Sequence, residues 1–477
     1  MDRYPGSLTD ENIRAIFDGA GDFITRELRC GKWVLYYYAI DGLTAGGDAS
    51  EYVLKPISEQ LSAPSMEILY ARALTGAVYN SVADPCRDLD AVAMKLVNGF
   101  CVVLFPGAGA LAFEVKTPEK RGIAPPSVEN TVKGPKDAFV ETSRSNTSLI
   151  RRHLRSPDLR IFETQVGRRS LTNVSVVWLE GITNRELVER MKSRLSRIDI
   201  DGMISPAAVE EYITGSRTTA FPLLQYTERT DRFCQGILEG RVGLLVDGLP
   251  QGYLAPVDIG SLMNSAEDRS VDPYSASCIR VLRYGALLLS LLLPGVFVAM
   301  ATFHHQMLPI QLLRAIVESK QAVPFSTAVE VLGLLIAFEL LQESGIHLPQ
   351  AIGQSVSIIG GIVVGTAAVE AKLISPAALI VVSLAGVCGF VQPNRDLAEA
   401  VRVWRFLLAV LGAVGGLFGV TAGAIALLIH LSGLESLGIP YLEPFSRGKA
   451  TRILRRRLVS EKFRDPRLEP EDGRNQR

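Results

Sequence analysis

Residues 281–434 form a block so apolar that it fixes the solvent this chain must fold into. Four stretches within it, 284–303, 344–369, 373–394 and 406–434, contain no Lys, Arg, Asp or Glu. A helix crosses a bilayer with about 20 mostly apolar residues, and a charge at its centre is costly. Core helices of water-soluble proteins are rarely so long and so free of charge. The block therefore reads as an all-α polytopic transmembrane domain.

The remainder reads as an α/β soluble N-terminal region followed by a short basic tail. A hydrophobic content of 48% thus averages two unlike halves. Fifty basic residues balance fifty acidic ones, so no global field draws the chain to nucleic acid. The six cysteines are scattered without a CxxC, which argues against a disulfide framework or a zinc site and fits a reducing compartment. Residues 1–20 are acidic and lack an apolar core, so no cleaved signal peptide is expected and the N-terminal region should face the cytoplasm.

Along that region, 10–28 has apolar residues at helical spacing, and 33–40 (WVLYYYAI) reads as a strand. Residues 99–105 and 111–115 flank PGAGA and read as a hairpin. No GxxxxGK[ST] is present, so these glycines do not make a phosphate loop. Further on, 174–179 (VSVVWL) reads as a strand, Thr183 and Glu186 as a capping box, and 241–246 with 252–257 as a second hairpin. The expected organisation is an α/β lobe at 1–115, a basic linker at 116–169, a second α/β lobe at 170–270, the helical domain at 271–445 and a basic, disordered tail at 446–477. Within the linker, Arg151, Arg152 and Arg155 crowd a short helix after the cap candidates Asn146 and Thr147. They fit either a solvated face or a surface for anionic lipid headgroups or a neighbouring subunit.

In the apolar block, Pro294 and Gly295 should kink the first span. Segment 323–345 is apolar yet carries Glu330, Glu339 and Glu343. Intramembrane carboxylates are candidates for an ion path; the competing reading is a surface helix with its carboxylates in water. Gln354, Ser355 and Ser357 add a polar stripe that could face a lumen. Glycines at 360, 361, 365, 386, 389, 412, 415, 416 and 419 suit close helix packing. Charge leaves the orientation open, because the arginines at 395–405, read as a loop, and those of the tail both favour the cytoplasm. Four crossings, with 323–345 re-entrant or tilted, is the expected count.

An ordered set of motifs runs along most of the chain: IDGL (40–43), VKGPKDAFVET (132–142), NTSLIRRHL (146–154), RLSRIDIDG (194–202), FPLLQYTERTD (221–231), LEGRVGLLVDGLP (238–250), LLLPGVFVA (291–299), FELLQESGIHLP (338–349) and GIPYLEPF (438–445). On these motifs the chain resembles the A subunits of spore germinant receptors, the GerA family. The resemblance implies a multi-pass subunit in the spore inner membrane, with a transporter-like B subunit and a lipoprotein C subunit as partners. It also implies a homo-oligomeric ring forming a nutrient-gated, monovalent-cation channel. The family commonly shows FHQEM and FELLRE; here Gln306 and Gln342 stand at the charged positions, and His347 where an arginine is usual.

Two other functions fit: a membrane-anchored scaffold that docks receptor partners, and a nutrient-independent paralogue that amplifies germination. A carrier fits less well, since the helices show no internal repeat. No nucleophile–base pair, metal set or phosphate loop appears, so neither an enzyme nor a cofactor or metal is expected.

Overall fold

The computed structural model describes residues 3–60, 63–78, 80, 82–116, 126, 129, 134–203, 205–215, 219–347, 365–442 and 445. They divide into two compact units: an α/β unit of residues up to 215 with 224–256, and a helical unit of 219–223 with the described residues from Val257 onward.

The α/β unit contains two sheets. The first comprises β1 (Phe23–Cys30), β2 (Trp33–Ile40), β3 (Ala83–Cys86), β4 (Phe100–Phe105) and β5 (Gly109–Glu114), in the order β1-β2-β4-β5-β3. All its pairings are antiparallel. Alternate residues of β4 serve opposite cores, which is why FCVVLF is an unbroken apolar run. Val102 and Leu104 pack with Ile13 and Ile16 of α1 (Asp10–Ile16) and Val92 and Leu96 of α2 (Leu89–Val97). Cys101, Val103 and Phe105 pack the other way, with Val53, Ile57 and Leu69.

The second sheet comprises β6 (Leu159–Val166), β7 (Thr172–Leu179), β8 (Gln225–Thr227), β9 (Val242–Val246) and β10 (Gly252–Ala255), in the order β6-β7-β9-β10-β8. Counted from the first strand of each lobe, the two orders are identical. A helix precedes each opening hairpin, α1 in the first lobe and α3 (Ser143–His153) in the second. Another precedes each closing hairpin, α2 in the first and α5 (Thr230–Leu238) in the second, with α4 (Arg185–Ser196) between β7 and β8. The soluble region is one supersecondary plan used twice.

Several local expectations are corrected. Residues 10–28 are not one helix: α1 stops before Gly19, whose φ is +77°, and residues from Phe23 pair with β2 in the register Phe23↔Ile40. The half-buried alternation of a strand, and a partner to bond, override the apparent helical spacing. The C-terminal part of the expected linker 116–169 belongs to the second lobe, because α3 packs into its core and β6 pairs along its length with β7. Asn146 and Thr147 lie inside α3, after the N-cap Thr142. Asn146 instead holds the preceding segment, exchanging hydrogen bonds of 2.8 and 2.6 Å with the Val140 backbone. Asn184, not Thr183, caps α4.

The helical unit comprises α6 (Pro273–Thr302), α7 (Ile310–Lys320), α8 (Thr327–His347), α9 (Pro376–Phe390) and α10 (Arg395–Ser432). Among the described residues two helices, α6 and α10, are long and apolar enough to cross a membrane; α9 is apolar and shorter. The stretch 406–434 is not one span. α10 breaks at Gly416, with φ 58° and ψ −145°, a conformation close to glycine-only backbone space. Its arms fold back on each other. A Cβ on Gly423 would lie 2.6 Å from Leu408, and the Trp404 and His430 rings are 5.8 Å apart. In a straight helix Leu408 and Gly423 would be separated by ~22 Å. Arginines 395, 402 and 405 therefore sit on the first arm rather than in a loop, and the second arm returns to the end where the first began.

α6 runs through Pro294 as a single helix. Gly295 serves packing there: a Cβ on it would meet the Leu408 carbonyl at 2.8 Å, and one on Gly412 would meet the Gly295 carbonyl at 2.5 Å. Both positions must be glycine for α6 and α10 to approach this closely.

Candidate functional site: a carboxylate clasped by two arginines

The acids of α8 divide by environment. Glu330 is 3% exposed, and its Oε2 accepts a 2.8 Å hydrogen bond from the backbone N–H of Ser375, the N-cap of α9. A carboxylate at a helix N-terminus answers the positive end of the helix dipole. Lys320 of α7 lies 3.9 Å from its other oxygen. Glu330 thus ties the start of α8 to the start of α9. Glu343 is exposed, about three and a half turns from it along the same helix.

Glu339 lies between them, half-buried, and is held from α10. Arg405 Nη2 donates to its Oε1 at 2.7 Å, and Arg402 Nη1 donates to its Oε2 at 2.9 Å. Arg402 Nη1 also donates to Gln342 at 2.7 Å, and its Nη2 lies 3.4 Å from Glu399. The arginines are three residues apart, one turn of the arm, so both reach one carboxylate. Arg405 is 2% exposed. A guanidinium so buried is tolerated only when paired, and Glu339 supplies the pairing. Gln342, which departs from the family pattern, acts as a neutral acceptor for Arg402.

Gln354, Ser355 and Ser357 lie outside the described residues, as do the tail 446–477 and the middle of stretch 344–369. The clasp partners Arg402 and Arg405 were missed as site residues by sequence reasoning. Their signal was present: two arginines at helical spacing on the flank of an apolar run, facing an acid on another apolar helix.

In the α/β unit, Arg151 is not a lipid or subunit contact. It is 1% exposed and grips Asp22 through Nε and Nη2, each at 2.7 Å. It joins the second lobe to the residue preceding β1 in the first. Arg152 and Arg155 line a cavity of about 240 Å³ with Lys116, Leu43, Val97, Asn98 and Gly99. A second polar cluster joins α3 to α5. His153 Nε2 lies 2.6 Å from Asp137 and 3.2 Å from the Thr230 hydroxyl, which also donates to Asp137. The hydrogen bond to Asp137 raises the His153 pKa above its usual 6.5. Reciprocally, the bond from His153 holds Asp137 down at about 2.

A duplicated α/β region joined to an apolar helical unit with an internal charge clasp defines a membrane-associated, two-part protein. Its family follows from sequence comparison. Residues 11–468 match the model described as Bacillus/Clostridium GerA spore germination protein, and the chain belongs to that family. It is 32% identical to the uncharacterized membrane protein YfkQ of Bacillus subtilis (strain 168), over 93% of this chain and 87% of that one. Spore germination protein KA of the same organism is 33% identical, over 90% and 79%. Spore germination protein GerQA of Bacillus cereus is 33% identical, over 92% and 89%. Among solved structures, the N-terminal domain of the A subunit of the Bacillus megaterium spore germinant receptor GerK3 aligns with 52% of this chain and 95% of its own, at a TM-score of 0.41 and 24% identity.

Proposed function

We propose that this chain is the A-type subunit of a nutrient-responsive germinant receptor in the spore inner membrane, its N-terminal region facing the core. Copies assemble around an axis, with a transporter-like B subunit and a lipoprotein C subunit as partners, and the ring conducts monovalent cations when germinant is sensed. The chain performs no catalysis of its own. The observation that carries the reading is the clasp: two arginines and a half-exposed carboxylate set among helices whose outer faces are apolar. Val414 and Phe418 on α10 are 78% and 80% exposed. Such faces suit lipid or other subunits, while a half-exposed carboxylate within the same unit suits a wet axis.

A second reading draws on the same residues. Glu330 and Glu339 already have partners within the chain, as in a helical unit that only anchors a docking platform. Liposomes loaded with potassium separate the two. Efflux through the reconstituted, cross-link-verified oligomer, alone or with its B and C partners, supports conduction; tight vesicles under both conditions support docking.

A further inference from the structure

We infer that an internal water molecule sits at Gly389, in the core of the helical unit, bridging the Ser290 hydroxyl and the Arg405 guanidinium. Ser290 on α6 is 1% exposed, and its Oγ has no hydrogen-bond partner among the described residues. Arg405 on α10 is 2% exposed; its Nη2 is bound to Glu339, whereas its Nε has no acceptor. The two side chains converge on α9 where it lacks a side chain. The point that a Cβ on Gly389 would occupy is 3.4 Å from Ser290 Oγ and 3.9 Å from Arg405 Nη1. Both polar atoms therefore border the space that Gly389 leaves open.

The chemistry selects water over an ion. Arg402 and Arg405 already face Glu339 and Glu399, so the local charges balance. What Ser290 lacks is any partner, and the donor that faces the same point is Arg405 Nη1; water serves both, and buried polar groups commonly recruit it. The same helix pair carries more polar atoms in this condition. Tyr284 Oη on α6 and Gln392 Oε1 just beyond α9 are buried without partners, although Gln392 Nε2 donates to the Arg283 carbonyl at 3.5 Å. The clasp is therefore hydrated from within, at Arg405 Nη1. This goes beyond the conduction reading, because hydration can be measured whether or not the assembly conducts.

The test is water-edited solid-state NMR on the full chain in lipid bilayers, with ¹⁵N in the arginine side chains and backbone. The Arg405 Nη signals are assigned by their loss in Arg405→Lys. Magnetisation from water should reach native Arg405 Nη1 several-fold faster than it reaches backbone amides of the dry core around Val298. Gly389→Ala is the sharper variant, since its methyl meets protein atoms only at ordinary contact distances and would occupy the place of the water. It should slow transfer to the dry-core rate and lower the thermal midpoint, against the gain that Gly→Ala normally brings within a helix. Ser290→Ala, which removes one ligand of the water, should slow transfer in part. Native transfer no faster than in the dry core overturns the inference. So does a Gly389→Ala chain with a raised midpoint and unchanged transfer.

Discussion

At the scale of single residues, the buried charges of the α/β unit serve structure. Arg151 and Asp22 bond twice across the two lobes, so removing either leaves the other charged and dry. Asp22→Ala should therefore cost about 3–5 kcal/mol. Chemical unfolding of the full chain, followed by Trp33 and Trp178 fluorescence, reads that loss. The His153–Asp137 pair gives a pH dependence whose sign is fixed. The His153 pKa is raised in the fold, so its contribution is complete below the unfolded value of 6.5 and fades as pH rises through the folded one. Asp137 is held down at about 2, so its contribution is present above the unfolded value of 3.8 and lost as pH falls toward 2. An NMR titration of the His153 ring should give a pKa above 6.5 that drops in Asp137→Asn. An unchanged pKa would mean that the pair does not form. From sequence, Arg151 looked like one of three surface arginines, because adjacency in the chain does not reveal which side chain turns inward. Burial of Arg151 depends on Asp22, 129 residues away.

At the scale of elements, strands with two buried faces were legible, since an apolar run closed by a glycine turn has few other solutions. The ends of elements were not. Residues 23–30 carry a pattern that fits a helix or a strand, and only pairing with β2 decides. The break at Gly416 was hidden for a related reason. Glycines on a fully apolar stretch announce close packing, but only backbone dihedrals distinguish packing from a turn. Gly416→Ala should cost about 1–3 kcal/mol, because an alanine resists that conformation. Thermal unfolding in nanodiscs measures it. The hairpin itself is tested by cross-linking: Leu408→Cys with Gly423→Cys, in a background lacking Cys278 and Cys388, should form a disulfide in high yield. Absence of the bond would favour a straight α10.

At the scale of the whole molecule, the hairpin resolves a conflict that charge alone left standing. The arginine-bearing start of α10 and Ser432 at its end lie on the same side of the break at Gly416, so a bilayer-inserted hairpin keeps both on one face, as the positive-inside tendency asks of the arginines. Accordingly, Arg395→Cys and Ser432→Cys should react with an impermeant thiol reagent from one side of the membrane, and Phe418→Cys should not react from that side. The duplication of the soluble region was half visible, as two lobes each closing on a hairpin; their shared strand order needed the fold. The carboxylates of 323–345 were visible as anomalies, but the arginines that answer them were read as a loop, so the clasp was not.

Single-channel recording of the reconstituted assembly in planar bilayers, comparing native, Glu339→Gln and Glu339→Gln/Arg405→Met chains, decides whether the clasp governs conduction. The native assembly should carry monovalent-cation currents, with open probability or unit conductance altered by Glu339→Gln and partly restored when Arg405 is neutralised as well. Currents indifferent to both changes, or a verified assembly that stays silent with its partners and germinant present, would contradict it.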